Sequence, residues 1–511
     1  MDSKIKIMGY AVLGLYFVGM LAIGYFCNKK YANNVDGFFA GGKNLGPWVF
    51  ALTYGSTYLS SSTFVGNTAT AYSGGLAYLF MPLAQMLLLP LGLIFFSHIL
   101  RKMSQSLDVV TIPAYLEKRF KSPAAGMITS LIIVIFFIPY LVGIVKASAL
   151  SLGALLGVEY KIGVLLIAFI SFVYLMFGGY MARCYTDVAQ GVMMVVGMMA
   201  VVIAGFFIIG GPSAITEGVK AADPALLETP GPKGWSALFL YSTVFAIAPW
   251  GLPTLVQTNF TIGNRKHVYT AAIVLSIWIS CVLFGSMIIG NMGRAFYGNA
   301  LADNPDSLFP TLVMDWFPNL FGAIIIVAVI CAAMSTIDGT LMNSGAAVGL
   351  DIYKRFIKKD ASDKKVITVS NIAMGIITLV VIIWAFDPPA MVLTLTSYAF
   401  SLVAAGLIVP TYAGLYCKKL TSAGCVVGIL AGLGFCLLWY VTGTPLGIPP
   451  FVVGMVASAI ALFGVSKFTK PLPQEFIDDL FAKLKNNAYV TETVEPSQGR
   501  RTHPSGRGKG R

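Results

Sequence analysis

The chain has 511 residues, of which 57% are apolar and only 11% charged, with a formal net charge of +13 and a mean hydropathy of +0.79. Soluble domains carry about 25% charged residues, so the composition excludes a soluble enzyme or a nucleic-acid binder of this length and describes an all-α polytopic membrane protein. Seven cysteines form an odd set with no CxxC pair, and three histidines are scattered, so neither a disulfide framework nor a metal cluster is indicated.

A bilayer-spanning helix needs about 20 mostly apolar residues, and thirteen runs meet that length. They start near Met8, Pro47, Gly74, Gly126, Ile162, Ala189, Trp235, Tyr269, Leu320, Val366, Ala390, Thr421 and Ile448. The first run is longer than a signal-peptide core and lacks a small-x-small cleavage site, so it reads as a retained span. Of the 35 Lys and Arg residues, 28 fall on the loops and tail of one side, Arg183 counted among them, and six on the other. The positive-inside rule then places the N-terminus outside and the C-terminus in the cytoplasm. Lys146 is left over, inside the fourth run. Residues 1–468 form the membrane domain. Residues 469–511 turn polar and basic and read as a solvated cytoplasmic tail, with a short amphipathic stretch from Phe476 to Leu484.

Polar groups at bilayer depth are costly and mark a pathway or a site. In the second run, Thr53, Ser56, Thr57, Ser60, Ser61, Ser62 and Thr63 crowd beside Gly55. Any one hydroxyl can bond back to its own helix; seven together favour a locally unwound helix, tolerated only where its carbonyls face protein, a cavity or an ion. In the ninth run, Ser335 and Thr336 follow Ala332 by three and four residues, so one carbonyl and two hydroxyls share a helix face. Hard oxygen donors of this kind suit an alkali cation. Embedded charges follow: Asp187 at the start of the sixth run, Asp338 past the Ser-Thr pair, and Lys146, read either as the partner of an aspartate or as a cation for a substrate anion. Gln85 and Gln190 add neutral hydrogen-bonding groups. The seventh run is broken by Pro249-Trp250-Gly251-Leu252-Pro253. Spans two to six and seven to eleven make two groups of five, each opening on its interrupted member. Five is odd, so the two groups run in opposite directions, as an inverted repeat requires.

At these residues the chain resembles the sodium/solute symporter family, nearest its sodium/pantothenate and sodium/proline branches, over about Met8 to Phe468. The stretches that carry the likeness are Gly37-FFAGGKNLG, Thr57-YLSSSTFVG with Ala71-YSGGL, Gly178-GYMARCYTDVAQG, Gly251-LP and Ala333-MSTID. The resemblance implies a five-plus-five inverted repeat of the leucine-transporter type, with repeats at about 47–211 and 235–416. It also implies a principal sodium site made by the Ser56 and Leu59 carbonyls, the Ala332 carbonyl and the Ser335 and Thr336 hydroxyls. Asp187 matches a family aspartate associated with sodium. Where some members complete a second sodium site with small hydroxyl residues, this chain has Asp338 and Gly339. Loss of that site, a proton there, or pairing with Lys146 all stay open. Substrate positions along the broken helix point to Ser60, Thr63, Gln85 and Trp250, with Lys146 as a carboxylate partner.

The expected function is sodium-coupled symport of a small organic solute, a carboxylate such as pantothenate or an amino acid, across the cell membrane. Proton coupling and sodium-coupled sugar uptake are the alternatives. The expected partners are the solute, sodium and lipid, with no nucleic acid and no cofactor besides the coupling ion. No nucleophile–base set or His/Glu metal spacing suggests an enzyme, and no folded signalling segment follows Phe468.

Overall fold

A computed structural model of the chain describes residues 3–31, 39 and 45–486. Among these, helices form every element except an isolated parallel bridge between Leu45 and Ile262. Nine helices are long and apolar enough to cross a membrane, and Gly234–Gly251 with Pro253–Thr261 makes a tenth span bent by 45°. Two shorter apolar helices, Ile7–Ile23 and Tyr160–Val173, add to these, as does the interrupted segment at 47–74. The helical run Tyr160–Ile209 packs on neighbours at both its ends. Gly163 packs on Ala149 and Tyr160 donates to the Ala385 carbonyl (2.8 Å), while Gly205 packs on Met292 and Trp316.

Local chemistry starts and stops these helices where the sequence breaks its apolar runs. Proline occupies the first turn at Pro47, Pro123, Pro212, Pro253 and Pro450, where a missing N–H costs nothing. Thr111, Ser122, Asn264 and Thr421 cap their helices by accepting a backbone N–H. Burial then sorts centre from rim. Val392–Tyr416 and Asn319–Ile357 are each 83% buried across their apolar window, Pro450–Phe468 only 22%. The first two form the axis of the bundle; the last turns side chains such as Ile460 and Phe468 outward, as a lipid-facing helix must. Gly424, Gly428 and Gly432 let Ser422–Val441 approach the neighbouring helices closely, with Gly432 set against the Ala405 carbonyl and Ser458.

The two interrupted helices lie antiparallel and are tied at both ends. At the face carrying most of the basic residues, the Leu45 N–H donates to the Thr261 carbonyl (2.8 Å), and the Gly263 N–H returns to the Leu45 carbonyl (3.2 Å). At the opposite face, Gly75 has φ +80° and its position for a Cβ is filled by the Leu226 carbonyl, so only glycine fits there; beside it Gly74 meets Gly231. The start of each interrupted helix therefore sits beside the end of the other.

Two expectations need correction. Arg183, counted with the basic loops, is 2% exposed and lies inside the bundle. The solvated tail begins later than 469. Gln474–Asn486 is a docked amphipathic helix with Ile477 and Leu480 buried. Its Phe481 lies under the Arg119 and Lys418 cations, and Lys102 donates to the Leu484 carbonyl (3.2 Å). Asp478 bonds Gln474 and Lys418, which hold its carboxyl below the ordinary value. Residues 32–38, 40–44 and 487–511 lie outside the described residues, including most of the Gly37-FFAGGKNLG stretch.

Candidate functional site

The first interrupted helix, Pro47–Tyr58, ends inside the protein. Its last ladder bond runs from the Leu59 N–H to the Gly55 carbonyl (2.8 Å), and Leu59 itself is extended (φ −88°, ψ 119°). The carbonyls after Gly55 are thus the first released from the helix. The chain resumes through a wide π turn, Thr63–Asn67, before Thr68–Gly74, a helical irregularity that often accompanies functional sites. Several hydroxyls do bond locally: Thr57 and Ser56 to the Thr53 carbonyl, Thr68 to Phe64 and Val65. Ser61 instead crosses to the Ile144 carbonyl (2.9 Å), and Ser60 pairs with Ser62 (2.6 Å).

Facing the break stands Asn319–Ala346, an uninterrupted helix buried from Ile325 to Ala346. Ser335 donates to the Ser56 carbonyl (2.9 Å) and the Ala332 carbonyl (3.0 Å). Thr336 reaches the carbonyls of Ser56 (3.3 Å), Thr57 (3.2 Å) and Ala332 (3.2 Å). Two hydroxyl protons thus serve three carbonyl oxygens, and each hydroxyl keeps lone pairs of its own. The cluster holds more acceptor capacity than protons, in full burial and with hard donors only, which is the chemistry that fits a sodium ion. Of the five expected sodium ligands, Ser56, Ala332, Ser335 and Thr336 meet here. Leu59 lies at the break itself, with its side chain on the adjoining cavity.

That cavity, nearly closed in this conformation with only about 10 Å³ open to a water-sized sphere, is lined by Tyr58, Thr63, Gln85, Phe245, Thr396 and Phe400 among others. The Tyr58 hydroxyl donates to Gln85 Oε1 and lies 2.8 Å from the Phe245 carbonyl, while Gln85 Nε2 donates to Met81 (3.2 Å). Of the expected substrate residues, Thr63 and Gln85 line this cavity, and Ser60 lies one residue from the break, facing Tyr140.

Lys146 and Trp250 lie elsewhere. The Lys146 ammonium is held by Asp306 Oδ2 (2.7 Å) and the Ala390 carbonyl (3.1 Å) and does not line the cavity. Its partner is neither Asp187 nor Asp338; Asp306 sits in the connection before Asn319–Ala346. Trp250 packs its ring on Phe96 and Gly92, and its carbonyl accepts from Tyr412 (2.6 Å), on the far side of the second break.

Asp187 and Asp338 come together, with a third member that sequence reasoning placed in a loop. Arg183 Nε lies 3.5 Å from Asp187 Oδ2, and its Nη2 donates to the Thr57 hydroxyl. Asp338 shares this buried cluster. The spacing Arg183…Asp187, one helical turn, was the available signal. Gln190 continues the face, donating to Tyr16 of the first helix (2.8 Å).

Known proteins resemble this chain over most of its length. Residues 38–432 match the model of the sodium:solute symporter family. An osmoregulated proline transporter of Bacillus subtilis, OpuE, is 28% identical over 468 residues, covering 90% of this chain and 94% of its own. A sodium/proline symporter of Staphylococcus aureus is 28% identical over 495 residues, covering 93% and 96%. Among solved structures, a Na+-coupled sialic acid symporter in a substrate-bound outward-open state superposes with a TM-score of 0.78 at 22% identity, covering 91% of this chain and 99% of that one. MhsT in complex with L-phenylalanine superposes at 0.53 and 13% identity, covering 86% and 99%. The fold is that of the leucine-transporter type, and the molecule is a multi-pass membrane transporter, not an enzyme. With its family model matching residues 38–432, most of the chain, the protein belongs to the sodium:solute symporter family.

Proposed function

We propose that this chain carries a small carboxylate or zwitterionic solute, of the size of an amino acid such as proline, into the cell together with sodium by alternating access. The observation that carries the reading is the oxygen cluster of Ser56, Thr57, Ala332, Ser335 and Thr336, which joins a broken helix to an unbroken one beside a small cavity. A cation held there binds two elements that must separate when the carrier changes state. Sodium binding therefore favours the arrangement in which both elements meet, and shapes the cavity at Leu59 and Thr63. The cavity lining is neutral, with Tyr58, Ser62, Thr63, Asn67, Gln85 and Thr396 as its polar groups and Phe245 and Phe400 among its apolar walls. Such a lining suits a compact solute whose charges cancel, with the carboxylate directed at the freed helix start near Ser60 to Ser62, where the helix dipole is positive. The proline transporters among its relatives support the same size class.

The basic face, where the interrupted helices meet at Leu45 and Thr261, is assigned to the cytoplasm by its Lys and Arg content. The N-terminus then lies outside and the C-terminus inside, in the cell membrane. Inward movement of one charge gains about 2.3 kcal/mol per 100 mV, enough for roughly fiftyfold accumulation. Proteoliposome uptake of labelled proline, pantothenate, sialic acid and short monocarboxylates, each with an inward sodium gradient or with choline, tests the reading. Uptake of one amino-acid-sized solute only with sodium is the expected result. Uptake driven by a proton gradient without sodium, or sodium-driven uptake of a sugar alone, would replace it.

A further inference from the structure

One turn beyond the sodium oxygens lies a cluster that this mechanism does not use. Asp187 and Asp338 are both fully buried, and all four of their carboxylate oxygens lack a hydrogen-bond partner among the described residues. Two such carboxylates side by side in a membrane interior stay charged only beside a cation. The chain supplies one itself. The Arg183 guanidinium lies beside Asp187 (3.5 Å), over the face of Tyr180 (5.6 Å to the ring centre) and against the backbone next to Asp338. Room for it exists because residue 339 is glycine: a Cβ there would fall 2.7 Å from Arg183 Nη2. The guanidinium also touches the ion site, since Nη2 donates to the hydroxyl of Thr57, whose carbonyl takes the Thr336 hydroxyl.

We propose that Arg183 is a tethered cation standing permanently between Asp187 and Asp338, so that the carrier binds and moves a single sodium ion, at the Ser56–Thr336 oxygens, and admits no second inorganic cation. A guanidinium keeps its charge at any physiological pH, and a side chain cannot be released inward. The cluster therefore neutralises one carboxylate throughout the cycle and contributes no charge to the transport step. The paired choice of Arg183 with Gly339 sets the ion stoichiometry. Removing the positive charge leaves two carboxylates uncompensated in a space the guanidinium has vacated, and a second sodium ion becomes the available replacement.

This inference rests on the sodium-coupled reading above, and the test separates the two. Binding of 22Na+ to the purified full-length carrier in detergent, without solute, counts ions directly. The expected result is one sodium per wild-type carrier with hyperbolic saturation, one for Arg183→Lys, and two with sigmoidal saturation for Arg183→Gln, which can still bond Thr57. Arg183→Met provides a second neutral variant should the glutamine form fail to fold; sodium-dependent thermal stabilisation, with a steeper dependence on sodium for the neutral variants, gives a second readout. Two sodium ions on the wild-type carrier would overturn the tethered-cation assignment and leave sodium coupling standing. A single ion with unchanged affinity in both neutral variants would overturn it equally. No sodium bound to wild type, with choline as control, would overturn the coupling reading and this inference together.

Discussion

The two interrupted helices occupy equivalent places in an antiparallel pair, yet their breaks have different causes and different surroundings. In the first, nothing in the residue types forbids a helix: Tyr58, Leu59 and Ser60 are all helix-compatible, and the break survives because Ser335 and Thr336 accept the burden of the freed carbonyls from outside. In the second, Pro249 and Pro253 remove two N–H donors outright, so the chain bends by 45° whatever surrounds it. Its break is packed rather than solvated by ligands: Gly251 lies against Ile408 and Ala404, and the Trp250 carbonyl takes the Tyr412 hydroxyl. The difference teaches that one break depends on its partner helix, whereas the other is set by its own prolines.

Substitutions can break that contrast. The largest effect is expected from Ser335→Ala with Thr336→Ala, which removes both hydroxyls from the first break. Half-saturating sodium for uptake should rise at least tenfold, about 1.4 kcal/mol; an unchanged value would show that the ion is held elsewhere. At the second break, Gly251→Ala places a Cβ 2.5 Å from Ile408 Cγ1 and 3.0 Å from Ala404 Cα. Overpacking of this kind costs about 1–3 kcal/mol. Thermal stability and maximal rate should fall while half-saturating sodium stays within about twofold, and a tenfold sodium effect would erase the distinction between the breaks.

Between the two breaks lies the cavity. Tyr58→Phe deletes the hydroxyl that bridges Gln85 and the Phe245 carbonyl, a hydrogen bond of about 0.5–1.5 kcal/mol. The solute KM should rise about two- to tenfold, with sodium binding in the absence of solute unaltered. The smallest transport effect is expected at Lys146. Lys146→Met removes the partner of Asp306 and should lower the melting temperature while leaving the solute KM within about twofold. A tenfold rise in KM with no loss of stability would return Lys146 to the substrate site.

How much of this was visible in the chain beforehand varies with the range of the interaction. The Ser-Thr pair three and four residues after Ala332 share a face by helical geometry alone, and the hydroxyl-rich run from Thr53 to Thr63 announces an unusual helix without any neighbour. Prolines 249 and 253 mark the second break in the same local way. Arg183 was misplaced because a basic residue between two apolar runs reads as loop, and only the packing of its arm against Thr57 and Gly339 buries it. Lys146 was misassigned for the converse reason. Its helix is apolar, but Asp306 and the Ala390 carbonyl, far away in sequence, come to meet it. Trp250 flanks the right break on the wrong side, a matter of rotation about the helix axis that no spacing specifies.

The sequence by itself determined the membrane class, the order of the helices, the two breaks and where hydroxyls crowd at bilayer depth, because hydropathy, proline chemistry and helical periodicity act within a few residues. Only the tertiary structure decided which carbonyls meet Ser335 and Thr336, where the cavity opens, and which cation answers each buried carboxylate. Those outcomes depend on the approach of segments more than a hundred residues apart, such as Thr57 to Arg183 and Ser56 to Ser335, where the cost of burying a charge or a bare carbonyl is met by whichever partner the packing brings within reach.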